Sequence, residues 1–135
     1  MTFGEAISNG FSNYTNFRDR TPRSGFWWWF LFTQIVNIVA QVLMGVFAAM
    51  GQTAALIGAI IVLVVILGLL IPGIAVSVRR LHDLDKSGWW LLICLIPLVG
   101  AIILIVWFCT KGTEGPNRFG PDPLAATPPA PVPTV

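Results

Sequence analysis

The chain has 135 residues, of which 56% are hydrophobic and 10% charged, with a formal net charge of +2. An average soluble domain carries about 25% charged residues, so the composition excludes an ordinary soluble domain, and nothing in it points to a nucleic-acid partner. The apolar excess falls in three uncharged runs, 27–50, 53–78 and 89–110, each longer than the roughly 20 residues that cross a bilayer.

Ahead of the first run, Thr2 and Glu5 have the spacing of a capping box, and Phe3, Ile7, Phe11, Tyr14 and Phe17 recur at helical intervals. This predicts an amphipathic helix over 3–17 lying at the membrane surface, weakened by Gly4 and Gly10. Arg18, Arg20 and Arg23 follow, and Trp27, Trp28 and Trp29 open the first span. Basic residues before tryptophans are what a membrane–water boundary selects. The first apolar run begins too late and runs too long for a secretory signal peptide.

Only Gly51 and Gln52 separate the first two runs, which predicts a tight antiparallel helical hairpin. Pro72 and Gly73 predict a kink near the end of the second span. Its helix should continue to about Leu81, carrying Arg79 and Arg80 into the headgroups. A turn over Asp85, Lys86, Ser87 and Gly88 follows, with Ser87 as the N-cap of the third span. Cys94 and Cys109 lie on that predicted helix about 22 Å apart, too far to bond to each other. Residues 124–135 are proline-rich and expected to be disordered. The predicted architecture is an all-α integral membrane protein with one membrane domain, 1–123. It has three transmembrane helices in a small bundle, an N-terminal surface helix and a disordered C-terminal tail.

Three spans put Arg18, Arg20, Arg23, Arg79, Arg80 and Lys86 on one side and Lys111 and Arg118 on the other. The positive-inside rule then predicts a cytoplasmic N-terminus and a C-terminus outside. Pro97 and Gly100 interrupt the third run and raise an alternative, a re-entrant segment that returns the tail to the cytoplasm.

Within the first span, Gln34, Asn37 and Gln41 share one helical face. Carboxamides in hydrocarbon are costly unless bonded, so the face should point into the bundle, toward a partner chain or along a polar pathway. No carboxylate, lysine or histidine lies mid-membrane, which argues against a proton-coupled transporter. Ala54 with Gly58, and Gly73 with Ser77, allow close helix packing. The stretch SVRRLHDLDKSGWWLL, residues 77–92, holds the only histidine. As a hydrolase site it would ask His82 to face both Asp83 or Asp85 and Ser87 from one short turn. As a metal site it lacks the paired Cys and His pattern of zinc. No catalytic residue, metal ligand or cofactor site is therefore assigned, and an enzyme is not expected. Arg79 and Arg80 are spaced to pair with Asp83 along the helix. That leaves at least one arginine for anionic lipid, in a headgroup pocket beneath Trp89 and Trp90.

The strings RTPRSGFWWW, SVRRLHDLDKSGWWLLICLIPLVGAIILIV and KGTEGPNRFGPDP, in that order, resemble the domain of unknown function 805 family, small YhaH-like inner-membrane proteins of bacteria. The resemblance covers roughly residues 11–123. Asp19 stands where the family usually has glycine, and Leu84 and Asp85 stand where a small pair is common. The resemblance implies a multi-pass inner-membrane location and no established activity. The interaction candidates are Arg20, Arg23, Arg79, Arg80, His82, Asp83, Trp89, Trp90, Asn117 and Arg118. The expected role is a structural or interaction module contacting anionic lipid, a membrane-protein partner or a second copy. The alternative is a transport-related or channel-forming oligomer lined by Gln34, Asn37 and Gln41. The segment NRFGPDP reads as a shaped turn; its docking onto the 79–88 loop would favour the re-entrant arrangement.

Overall fold

The structure, a computed structural model, describes residues 1–124. The tail expected to be disordered over 124–135 lies, from residue 125 on, outside the described residues. Among the described residues four α-helices occur: α1, Phe3–Ser12; α2, Arg23–Ala49; α3, Gln52–Asp83; and α4, Val99–Cys109, with a 3₁₀ helix over Gly88–Leu95 between the last two.

Helix α1 begins as its sequence requires. Thr2 Oγ1 accepts the Glu5 N–H while Glu5 Oε2 accepts the Thr2 N–H, both at 3.2 Å, satisfying two of the free donors at a helix start. It stops at Ser12, short of the predicted residue 17. The Asn13 backbone N–H and its side-chain amide both donate to Asn9 O, and Asn16 Oδ1 accepts the N–H groups of Arg18 and Asp19. Such local side-chain bonds compete with helix continuation and shape a turn instead.

The three tryptophans have separate tasks. Trp28 meets Phe3 edge-on at 5.7 Å. Trp29 is buried under α1, edge-on to Phe11 at 5.2 Å. Trp27 Nε1 donates to Phe108 O at 3.2 Å. Gly10 makes the α1–α2 contact tight, since a Cβ there would sit 2.2 Å from Trp29 Cζ3.

Helices α2 and α3, of 27 and 32 residues, are about 40 and 48 Å long at 1.5 Å per residue. Both are long and apolar enough to cross a membrane. Gly51, at φ 121°, makes the tight connection. Phe47 rests on Gly58, where a Cβ would lie 2.8 Å from it. Pro72 is accommodated inside α3, which runs on to Asp83.

The single spanning helix predicted over 89–110 does not form. Ser87 caps it as predicted, its Oγ accepting the Trp89 N–H at 3.3 Å, but the capped element is a 3₁₀ helix that ends at Leu95. Pro97 has no N–H with which to extend an α-helix. At Leu98 the chain makes a γ-turn, with φ 63°, ψ −58° and Val99 N–H donating to Pro97 O at 2.7 Å. Gly100 then closes the V: a Cβ there would sit 1.7 Å from Ile93 O. With 8 and 11 residues, the two legs are each about 16 Å long, half of a hydrocarbon core. Cys94 and Cys109 therefore lie on different elements, both free and exposed.

Candidate functional site: an arginine clasp at the end of α3

The last turn of α3 presents Arg79, Arg80, His82 and Asp83, all buried. Unpaired charges do not survive burial, so each must be met by partners. Asp83 is bracketed by two guanidinium groups. Its Oδ2 accepts from Arg80 Nη1 at 2.5 Å, and its Oδ1 accepts from Arg20 Nε at 3.0 Å. The helical pair expected between Arg80 and Asp83 is present. Asp83's other cation is Arg20, from a segment 63 residues away, and not Arg79.

Arg80 Nη1 also donates to Thr21 O at 3.4 Å, and its other donors go to the C-terminal end of α4. Its Nε donates to Phe108 O at 3.3 Å and its Nη2 to Thr110 O. Arg23 Nη1 reaches Cys109 O at 3.0 Å. The last carbonyls of a helix have no partner within it and carry the negative end of its dipole. A short helix ending here needs cations and donors, and the arginines supply both.

Arg20 is the hub of the connection that follows. Besides Asp83 Oδ1, its guanidinium donates to Thr113 O at 2.6 Å, Gly115 O at 2.8 Å, Gly120 O at 3.3 Å and Asp83 O at 3.4 Å. These acceptors match the five N–H groups of an arginine, a fork that lysine cannot imitate. Gly112 lies so close that a Cβ would meet Asp83 Oδ2 at 2.0 Å. The loop beyond is tied in turn: Asn117 and Gly120 exchange backbone bonds of 3.0 and 3.1 Å, and Asn117 Nδ2 donates to His82 O at 2.9 Å. Asp122 accepts the N–H groups of Leu124 and Gly115 at 2.9 and 3.0 Å, and these bonds hold its carboxyl below the usual carboxylate range. Arg118 pairs with Asp85 at 3.2 Å. The NRFGPDP segment is thus docked on the 79–88 loop.

Arg79 fastens the N-terminal segment. It donates to Thr21 Oγ1, Asn13 O, Asn16 O and Asn9 Oδ1, while Thr21 N–H donates to Arg79 O at 3.0 Å. His82 Nδ1 lies 3.1 Å from the carbonyls of both Arg18 and Asp19. Facing two acceptors, it must carry the proton. The ring stacks on Phe119 at 3.9 Å, with the Arg118 guanidinium 4.7 Å from the Phe119 ring on which it lies.

The site residues named from sequence therefore divide. Arg20, Arg23, Arg79, Arg80, His82, Asp83, Asn117 and Arg118 come together in one clasp. The arginine expected to remain uncommitted is not left over, because both Arg79 and Arg80 are taken up by protein acceptors. Trp89 and Trp90 stand outside, exposed. Gln34 and Asn37 line a separate cavity of about 450 Å³ between α2, α3 and the 3₁₀ helix; Asn37 and Gln41 are exposed. Sequence reasoning missed Thr21, Asn9, Asn13 and Asn16, the acceptors of Arg79. The only signal was the density of Asn and Thr before Arg20, which also reads as an ordinary turn.

The family profile described as protein of unknown function (DUF805) matches residues 14–121. Inner membrane protein YhaH of Escherichia coli K12 is 45% identical over 114 residues, covering 82% of this chain and 89% of the relative. Inner membrane protein YhaI of the same organism is 36% identical over 111 residues, covering 82% and 88%. No solved structure matches. The matched range starts at Tyr14 and takes in the arginines and acid of the clasp and the loop that docks on it.

Proposed function

The chain belongs to the DUF805 family, and on that footing we propose that it is a two-span inner-membrane interaction module with a re-entrant hairpin and both termini in the cytoplasm. The observation that carries this reading is the docking of residues 110–122 onto the end of α3 through Arg20, Arg80 and Asn117. The third apolar segment then begins and ends at the same end of the α2–α3 hairpin. All eight Lys and Arg residues gather there, against none at Met50–Thr53. A distribution of eight to zero is a stronger topological signal than the six to two of a three-span chain. An alkaline phosphatase fusion at Val135 should be inactive and a green fluorescent protein fusion bright. An active phosphatase fusion would show the C-terminus outside and sink the topology.

The clasp is the scaffold of this module. Its His82 meets two backbone carbonyls and an aromatic ring. Arg18, Arg23 and Lys86 remain around its rim to attract anionic lipid, each worth about 1 kcal/mol near the surface. The working surface is the intramembrane carboxamide face of α2, exposed at Asn37 and Gln41. A photoreactive amino acid at position 37 should give a discrete protein adduct in living cells, and its absence would count against any partner there. A polar pathway is the second reading. It is favoured by the cavity beside Gln34 and Asn37, and it predicts ion or solute flux from reconstituted protein.

A further inference from the structure

We infer that the partner at this face is a second copy of the chain, joined along α2 through Gln34, Asn37, Gln41, Gly45 and Ala48; this rests on the interaction-module reading above. These five positions recur at intervals of three and four and so form one stripe. Within the chain, α2 meets α3 along a different stripe, where Ala40 is buried and Phe47 sits on Gly58. The carboxamide stripe lies beside that contact, Gln34 half-buried and, with Asn37, edging the cavity described above. Asn37, Gln41, Gly45 and Ala48 are exposed, and nothing lies within 4 Å of a Cβ built at Gly45.

Such a stripe cannot simply face lipid. Each carboxamide has two N–H donors and an acceptor oxygen. Among the described residues the three side chains make a single hydrogen bond, Gln41 Nε2 to Asn37 Oδ1 at 3.4 Å. Mid-span, the other donors and acceptors have no water to bond, and hydrocarbon penalises each of them. The chemistry of the missing surface can be read from the stripe itself. It must offer both donors and acceptors at helical spacing, and it must be shallow opposite Gly45 and Ala48. A carboxamide carries donor and acceptor together, so the stripe is its own complement. Two copies related by a two-fold axis present it to each other, as an isologous interface requires. Small residues toward the uncharged end let the backbones approach while the carboxamides bond across the seam.

Cysteine cross-linking in native membranes tests this, with Cys94 and Cys109 replaced by alanine. Under mild oxidation, Asn37→Cys, Gln41→Cys, Gly45→Cys and Ala48→Cys should give a species of twice the chain's mass. Ile35→Cys, Val39→Cys, Val42→Cys and Val46→Cys, also exposed but on another face, should not. The triple variant Gln34→Leu, Asn37→Leu, Gln41→Leu keeps α2 apolar and helical. In native mass spectrometry from nanodiscs its dimer should weaken about tenfold or more. Cross-linking without periodicity, cross-linking confined to the 35–46 face, or an undiminished dimer in the leucine variant would overturn the inference. An adduct of Asn37 with a different protein would overturn it too, yet leave the interaction-module reading standing. No adduct of any kind would remove both.

Discussion

Tyr14 Oη donates to the carbonyl oxygen of Gly68 at 2.7 Å, and Gly68 is the residue whose helical acceptor role Pro72 abolishes. In an α-helix the N–H of residue 72 would bond to the carbonyl of residue 68; proline has none. A tyrosine of the N-terminal segment therefore repairs the gap that a proline opens in α3. Tyr14→Phe should lower stability by about 0.5–1.5 kcal/mol when Pro72 is present. In a Pro72→Ala background, where the helix satisfies Gly68 itself, the same change should cost nearly nothing. A thermal-unfolding double-mutant cycle in detergent reads this coupling, and equal losses in both backgrounds would refute the pairing.

Asp83 holds Arg20 and Arg80 together, so its loss leaves two buried cations facing each other. Asp83→Ala should destabilise by about 3–5 kcal/mol, the usual consequence of breaking a buried ion pair. Asp83→Asn keeps one of the two acceptor oxygens but turns an N–H2 donor toward the other guanidinium, so it should recover only part of that loss. Arg20→Lys retains the charge but has three donors where five acceptors are arranged. Limited proteolysis should then cut within 112–122, while α2 and α3 stay protected.

Gly4 and Gly10 weaken α1 alike by propensity, but only Gly10 has a neighbour. No atom lies within 4 Å of a Cβ at Gly4, whereas one at Gly10 would strike the Trp29 ring. Replacing either glycine with alanine gains about 1 kcal/mol of helix propensity. Gly4→Ala should therefore raise the unfolding temperature and Gly10→Ala lower it. A rise in both would mean that α1 does not rest on Trp29.

Acid should loosen the docked loop through Asp122. Two backbone N–H groups favour its ionised form and hold its carboxyl below the usual range. A depressed carboxylate contributes stability above its unfolded-chain pKa and loses it as pH falls through the folded value. Hydrogen exchange over 115–124 should be flat through neutral pH and accelerate in acid beyond the intrinsic chemical trend. In Asp122→Asn, which keeps one acceptor oxygen but cannot ionise, the acceleration specific to acid should disappear.

Much of this architecture was legible because it rests on local rules. The capping box at Thr2 and Glu5, the hairpin at Gly51, the cap at Ser87 and the Asn117–Gly120 turn all follow from side chains within a few residues. The third segment was misread because 22 uncharged residues suffice to span a bilayer, and hydropathy alone does not weigh Pro97 and Gly100. Those two decide the outcome through tertiary fit, Pro97 by stopping the helix and Gly100 by letting α4 lie against Ile93 O. The clasp was half visible: the arginines and Asp83 were picked out, but charge counting assigned them to lipid. Their acceptors are backbone carbonyls of Phe108, Thr110, Thr113 and Gly115, and a carbonyl has no letter in a sequence.

The bare tip of the hairpin has a consequence for biogenesis. In the two-span arrangement every ionisable side chain stays on the side where the chain is made, and only the Met50–Gly51–Gln52 connection passes to the other. Insertion thus moves no formal charge through the bilayer, and the transmembrane voltage, which acts at about 2.3 kcal/mol per charge per 100 mV, does no work on it. Assembly of this chain should proceed equally well in membranes whose potential has been collapsed.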